Sequence, residues 1–449
     1  MDTASDYRLI LDGTTIYLNN QRSAPTVGGN VHSPTATPLI LVARDWRPGA
    51  PEASLVTGGD SQELMSLAYA PIVETIPLLC RAGSAEQLAQ ILALFNRHAA
   101  LTTAPGVLWC QPRGVASPIL FAVSRVEARV VPLANGSDPG EGATDVALQL
   151  KVRRSPLGGA SALITILSAS SITNSSLSSL GTIAGDMAGE GQPLQIRLDK
   201  PTAQSPLKAF LGSVHSRTTA TISNLVTTTS TTGAAFTASS SISASPLRLA
   251  DGLHLHVVAR LTGLTTPAKA QLRVRAETST AATLWQGPWV DLDTGTSTQL
   301  VDLDGSSLDM LRLAVGSAPA IVLRAELRSK DGTSVAATLA TLDALWCYDW
   351  SIVELSTAMA SGQRLYALGA DPVPSGPYLP LDPAEALLAD GSDVPVQVTR
   401  VRGQLPRAFA GASLYVAWID SGGAHNASDT ANLTLQMAPL WRSPRPLST

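Results

Sequence analysis

Aromatic side chains are scarce in this chain: Phe, Tyr and Trp supply 4% of its 449 residues. Whatever cores it builds must be filled by Leu, Val, Ile and Ala. Charge is scarce as well, at 15%, and lysine most of all, with five of the 31 basic residues against 26 arginines. A net charge of −4 and a pI near 5.9 exclude the basic surface that nucleic-acid binding requires. Cysteines number three, Cys80, Cys110 and Cys347, without a C-x-x-C pair, so zinc-ligand spacing is missing. A Cys80–Cys110 disulfide stays open if the strands flanking a helix are neighbours; buried free thiols are the plainer reading. No apolar run is long enough to span a membrane. The opening Met1-Asp2-Thr3-Ala4-Ser5-Asp6 lacks the basic and apolar segments of a signal peptide. The 45% hydrophobic content still suffices for sizeable cores. The length suggests roughly two to four domains.

The absences extend to chemistry. No G-x-S-x-G, H-E-x-x-H, Walker A or dinucleotide-binding fingerprint occurs. The expectation is a chain that is not an enzyme, with no catalytic, cofactor-binding or metal-ligating residues and with its ligand-binding residues unknown. His254 and His256 stand two apart on the polar side of a strand, a spacing that could face one metal ion. No third ligand lies near them in sequence, and two surface histidines are the simpler reading. Asp291, Asp293, Asp302, Asp304 and Asp309 crowd one stretch without the order of a calcium loop, and read as a solvated acidic loop. Trp285, Trp289, Trp346 and Trp350 could form a sugar-stacking platform, with core or inter-strand packing as the simpler use. A glycosidase would need two carboxylates brought together by the fold, which sequence neither shows nor excludes.

The most organised stretch runs from Ala70 to Val131. An extended apolar run, 71–79, leads to Ser84-Ala85-Glu86-Gln87, which has the form of a capping box. Leu88, Ile91, Leu92 and Phe95 then recur at helical spacing. The pattern predicts a helix over about 85–99, laid across a sheet. Pro105-Gly106 ends it, and strand-like runs follow at 107–111 and 118–131.

Elsewhere the chain reads as strands. An Asp12-Gly13 hairpin joins 7–11 to 14–18. Strands are expected at 38–44 and 144–154, with loops at 19–36 and 47–60. Ser155-Pro156-Leu157-Gly158-Gly159 looks like a domain boundary. Beyond it, 163–167 and 194–198 read as strands, and 174–191 as a connection. The Thr/Ser/Ala-rich 218–245 reads as a solvated loop with short strand pieces. Alternation is strongest at 253–262, 271–277, 311–315, 321–328 and 337–348, the pattern of an antiparallel sandwich or jelly roll. After a Pro-rich 371–377, strands resume at 394–401, 414–420 and 431–437. The expected fold is therefore mainly β, in three parts: an N-terminal β-domain with one packed helix (1–155), an antiparallel β-sandwich (156–356) and a C-terminal β-unit (357–449). Whether 357–449 instead completes an earlier sheet is left open, with a separate unit preferred.

This order of parts resembles the distal tail proteins of long-tailed bacteriophages. The matching residues are Leu9–Leu18, the helix Ser84–Ala99, and the strands in Val107–Val131. Further on, Ile172-Thr173-Asn174, Gly185-Asp186 and Leu194-Gln195-Ile196-Arg197-Leu198 look like the entry to that family's galectin-like sandwich. The resemblance covers about 1–350 and does not account for 357–449. It implies a structural virion protein, made in the host cytoplasm, whose N-terminal domain forms a homo-oligomeric ring or trimer around the tail channel. It also implies that the sandwich holds other tail proteins or touches a host surface glycan, with no nucleic-acid binding and no membrane span. Competing readings are a free glycan-binding or adhesive module and a capsid-associated protein.

Overall fold

A helix one turn past a strand organises the first third of the chain. A computed structural model describes residues 6–11, 14–18, 39–41, 51–58, 61–82, 84–97, 105–111, 118–131, 145–183, 191–228, 235–242, 253–277, 282–292, 296–303, 321–372 and 378–442. The helix spans Ala85–Arg97. The Gln87 N–H donates to Ser84 Oγ at 3.1 Å, the N-cap that the sequence announces. Ile91 and Phe95 are buried against the sheet, whereas Leu88, Leu92 and Leu94 are only partly covered. The deepest contacts thus belong to two members of the expected four-residue stripe.

The sheet beneath runs, in spatial order, Thr14–Tyr17, Asp6–Leu11, Gly106–Gln111, Ile119–Val131, Asp145–Arg154, Ile72–Arg81 and Leu39–Leu41. Every pairing along it is antiparallel. Alternate residues of these strands, such as Leu9, Leu78, Phe121 and Leu148, turn inward and form one core with the helix. Arg154 also points inward. Its guanidinium donates to Glu74 at 3.1 and 2.6 Å and lies 4.4 Å from the Phe121 ring, so the buried charge is paired. Cys80 and Cys110 are free and buried. Two strands, 119–131 and 145–154, lie between theirs, so the flanking-strand neighbourhood a bridge requires does not form.

One expected loop is a strand pair. Pro51–Gly58 and Ser61–Tyr69 form a hairpin that makes a two-stranded sheet of its own, where 47–60 reads as Pro/Gly-rich loop. Its register places Gly58 opposite Ser61, so the glycine at 58 belongs to the strand itself.

Two sandwiches follow, built on one sheet. Its long strands, Lys208–Thr228 and Val335–Glu354, pair along nearly their whole length. The expectation of a solvated loop over 218–245 is overturned here. Residues 218–228 continue a strand, and Ala235–Ile242 is another, paired with Ile321–Ser329. Threonine is well suited to strands, and the pairing of each segment with a distant strand decides the matter.

On one half of this shared sheet lies a second sheet, ordered Ile164–Thr173, Thr430–Met437, Gln192–Asp199, Arg364–Pro372, Tyr378–Ala389 and Pro395–Val398. On the other half lies a smaller sheet, ordered Ala235–Ile242, Ile321–Ser329, Ala270–Glu277 and Thr283–Gln286. Both cores use the same face of the shared sheet. Ala209, Leu211 and Val353 belong to the first, and Leu342, Ala344 and Trp346 to the second. Tyr348 packs against both, and its ring stacks 4.1 Å from that of Phe409.

The preferred division at 356/357 does not follow the sheets. Arg364–Pro372 pairs with Gln192–Asp199, Thr430–Met437 pairs with both Gln192–Asp199 and Ile164–Thr173, and Ser413–Ile419 pairs with Lys208–Thr228. Residues after 357 complete the first sandwich, and residues 235–329 are the insertion. Both halves of the first sandwich need each other because their facing apolar sides bury one another in a single core. The expected strand at 311–315 lies outside the described residues. Among the described residues, no helix is long and apolar enough to cross a membrane.

Candidate functional site

The face of the shared sheet turned away from both cores carries a cluster of stacked aromatic rings. Alternation puts Phe210, Val214, Cys347, Trp350, Ile352, Tyr415 and Ala417 on that face. Gly212 lies between Trp350 and Tyr415 in register, and its missing side chain leaves room for the indole: a Cβ there would sit 2.5 Å from Trp350 Cε3. The Trp350 ring stacks on His256 at 4.7 Å and on Tyr415 at 5.5 Å. Its Nε1–H donates to Asp302 Oδ2 at 3.0 Å. The row continues past Tyr415. Arg217 lies 5.7 Å from the Tyr415 ring and grips Asp343 with two hydrogen bonds of 3.1 and 2.8 Å. Burial, with the negative charge of Asp343, pushes the Tyr415 phenol up. Burial also pushes the Cys347 thiol well up, which keeps it an unreactive thiol.

Beside this row opens a cleft of about 450 Å³. Its floor is Phe210, Leu300, Trp350, Ile352 and Ile419, and Lys208, Asp291, Asp302 and Arg402 supply charge of both signs. Arg402 is paired with Glu354. Asp291 is exposed and accepts from Gln271 at 2.6 Å, with Lys330 2.9 Å away; these contacts hold its carboxyl below the usual carboxylate range. The cleft can take a small ligand with apolar and polar faces, oriented by charges already fixed in place.

The sequence candidates are scattered by the fold. His254 is exposed at a strand start, while His256 is committed to Trp350. Asp291 and Asp302 both line the cleft; Asp293, Asp304 and Asp309 lie outside the described residues. Among the described residues, no three His, Cys, Asp or Glu side chains gather as a metal site. The four tryptophans share no platform. Trp346 is in the inserted sandwich's core and Trp285 packs against it. Trp289 lies between the guanidiniums of Arg273 and Arg328, at 4.4 and 4.2 Å. Trp350 has stacked neighbours on the opposite face of the sheet. Sequence reasoning missed Phe210, Tyr415 and Lys208; the alternation of Phe210, Gly212 and Val214 was the signal available.

A serine–histidine pair lies at one end of the first sandwich. Ser175 Oγ is 2.9 Å from His425 Nε2, and Ser175 holds a left-handed φ of 63°. The pair is not poised for nucleophilic attack. Burial, with the nearby Arg260 charge, lowers His425 to about 4, too weak a base to take a serine proton near neutrality. Its neighbours form a buried polar knot instead. The Asn174 amide donates to Gln204 Oε1 and the Trp418 carbonyl, and its Oδ1 accepts from the Trp418 N–H at 3.0 Å. Asp429 accepts from the Ala203 and Gln204 amides and from Trp418 Nε1.

No protein-family model and no curated protein matches the chain. Among solved structures, it is similar to the Dit protein of SPP1, described as a paradigm of the hub adsorption apparatus of phages infecting Gram-positive bacteria. That match has 7% identity and a TM-score of 0.31 over 97% of this chain and 98% of the other. A chain of the phage p2 baseplate in its activated conformation matches at 8% identity and a TM-score of 0.23, over 77% of this chain and 98% of that one. A chain of T=1 particles derived from infectious bursal virus matches at 8% identity and a TM-score of 0.18, over 88% and 81%.

Proposed function

We propose that this protein is a non-catalytic structural subunit of a bacteriophage tail, placed near the distal end. Its N-terminal domain assembles with copies of itself around the tail channel. Its sandwiches project outward to hold other tail proteins or to contact the host. The observation that carries this reading is the hairpin Pro51–Tyr69, which pairs with no other described strand. A lone two-stranded hairpin is marginal in water, so a neighbouring subunit is the natural cover for it. The order of parts supports the same reading: a one-helix β-domain first, sandwiches after. Closing a ring of identical subunits requires two different surfaces of the N-terminal domain to meet head to tail. Each such contact is expected to bury well over about 1,000 Å².

The test uses the full chain. Light scattering and electron microscopy are expected to find closed oligomers. Replacing residues 51–69 by a short Gly-Ser linker is expected to abolish them while leaving the sandwich melting transition in place. A chain that stays monomeric at high concentration would refute the ring. The cleft beside Trp350 favours a second reading, a glycan-binding module. A monomer that binds oligosaccharide, and loses binding on Lys208→Ala, would decide for it.

A further inference from the structure

The connection between the N-terminal sheet and the first sandwich has the composition of a hinge: Ser155-Pro156-Leu157-Gly158-Gly159-Ala160. Glycines have the most backbone freedom to lose on ordering. Yet Gly158–Gly159 is a strand. On one side, Gly159 pairs with Leu120 of the N-terminal sheet. The backbone runs so close there that a Cβ on Gly158 would sit 2.6 Å from Phe121 Cζ and 2.7 Å from Ile119 Cγ2. On the other side, the partner comes from the far end of the chain: Gly158 pairs with Trp441 and Gly159 with Leu440.

That far end is tied to both units. Leu440 is buried against Leu157, and its N–H donates to Gln192 Oε1 at 2.6 Å, in a strand of the first sandwich. The Ala438 N–H donates to the Pro193 carbonyl at 3.0 Å. Trp441 packs on the core of the N-terminal sheet. The covalent connection is held mainly from the side of the N-terminal sheet, where Gly159 pairs with Leu120. Ser155 is held to the N-terminal sheet through Ala122, and Ala160 to the sandwich through the Tyr378 N–H at 3.0 Å.

We infer that Pro439–Trp441 is a strap that sets the angle between the N-terminal sheet and the sandwich. Its release leaves residues 156–159 paired on one side only, through Gly159 and Leu120, and so weakens the hold on this connection. Units joined by one flexible connection move relative to each other unless a further contact holds them, and the strap supplies that contact. The inference is independent of the tail reading, since it concerns one copy of the chain.

The experiment compares the full chain, a chain ended after Ala438, and full-length Trp441→Ala. The readouts are the rate of proteolytic cutting at Leu157, small-angle scattering, and melting followed by circular dichroism. Shortening is expected to raise the cutting rate by at least about tenfold, since local opening governs cleavage. It is also expected to broaden the distribution of shapes while the sandwich melts as before. Trp441→Ala is expected to fall between. An unchanged cutting rate and scattering profile in the shortened chain would overturn the inference. If the shortened chain does not fold, Trp441→Ala decides: a several-fold rise in cutting supports the strap, and no rise overturns it.

Discussion

The two sandwiches share a sheet and a kind of core, aliphatic with few aromatics, but they settle their polar groups differently. The first is tied at one end by a buried, mostly neutral knot of Asn174, Gln204, Trp418 and Asp429. The second carries charge across the face turned from its core. There Arg273 and Arg275 meet Glu326, and Arg275 and Arg324 meet Glu277. Both carboxylates are buried, while Arg273 and Arg275 keep 17% and Arg324 31% exposure. A buried knot has no water to replace a lost partner. A ladder whose cations reach solvent has one. The cost of a deletion should therefore differ between sandwiches of similar core.

Asp429→Ala should sharpen that contrast most. It strands three backbone amides, those of Ala203, Gln204 and Thr430, and the Trp418 indole N–H, and is expected to cost about 3–5 kcal/mol, read by urea unfolding. A loss below that of Glu326→Gln in the ladder would break the comparison. Acid should act on the same end. His425 is buried and its folded value, about 4, lies below the ordinary 6.5. The unfolded chain therefore takes up a proton first as pH falls. The contribution of His425 alone is expected to be full above about pH 6.5, to decline toward pH 4 and to level off below, a loss of about 3 kcal/mol. Unfolding curves at pH 7 and 4.5 should show it, and His425→Gln should flatten it.

In the ladder, Glu326→Gln keeps the shape and removes the charge. About 1.5–3 kcal/mol is expected, and added salt should shrink the difference between the two proteins. A salt-independent loss would mean that the arginines are not solvated as their exposure indicates. The smallest effect is expected at Lys269–Asp331, an exposed pair 2.7 Å apart. The ammonium of Lys269 holds the Asp331 carboxyl below its ordinary value, but both groups keep their water. Asp331→Asn should leave the melting temperature unchanged within error.

The same division between local and distant partners separates what was legible in the sequence from what was not. Ser84 capping Gln87, the helical recurrence of Ile91 and Phe95, and the alternation at 254–262 and 270–277 are local patterns, and the elements form where they are written. The strand through Thr218–Thr228 was not legible, because its Thr and Ser residues carry no alternating apolar signal and its strandedness comes from partners over 100 positions away. The hairpin Pro51–Tyr69 was hidden by the proline and glycines around it. The aromatic row was hidden because His256, Trp350 and Tyr415 come from three distant strands, and only register aligns them.

By itself, then, the sequence determined a mainly β chain with one capped helix, aliphatic cores and no recognisable catalytic motif. These properties depend on composition and on spacings of a few residues, which are physical constraints within one element. The tertiary structure alone decided that residues after 357 close the first sandwich, that 235–329 stand as an insertion, and that Leu440 and Trp441 return to Gly158 and Gly159. Those outcomes depend on which apolar face finds which partner. A strand's own residues specify that it has a face to bury, and not the distant strand against which it is buried.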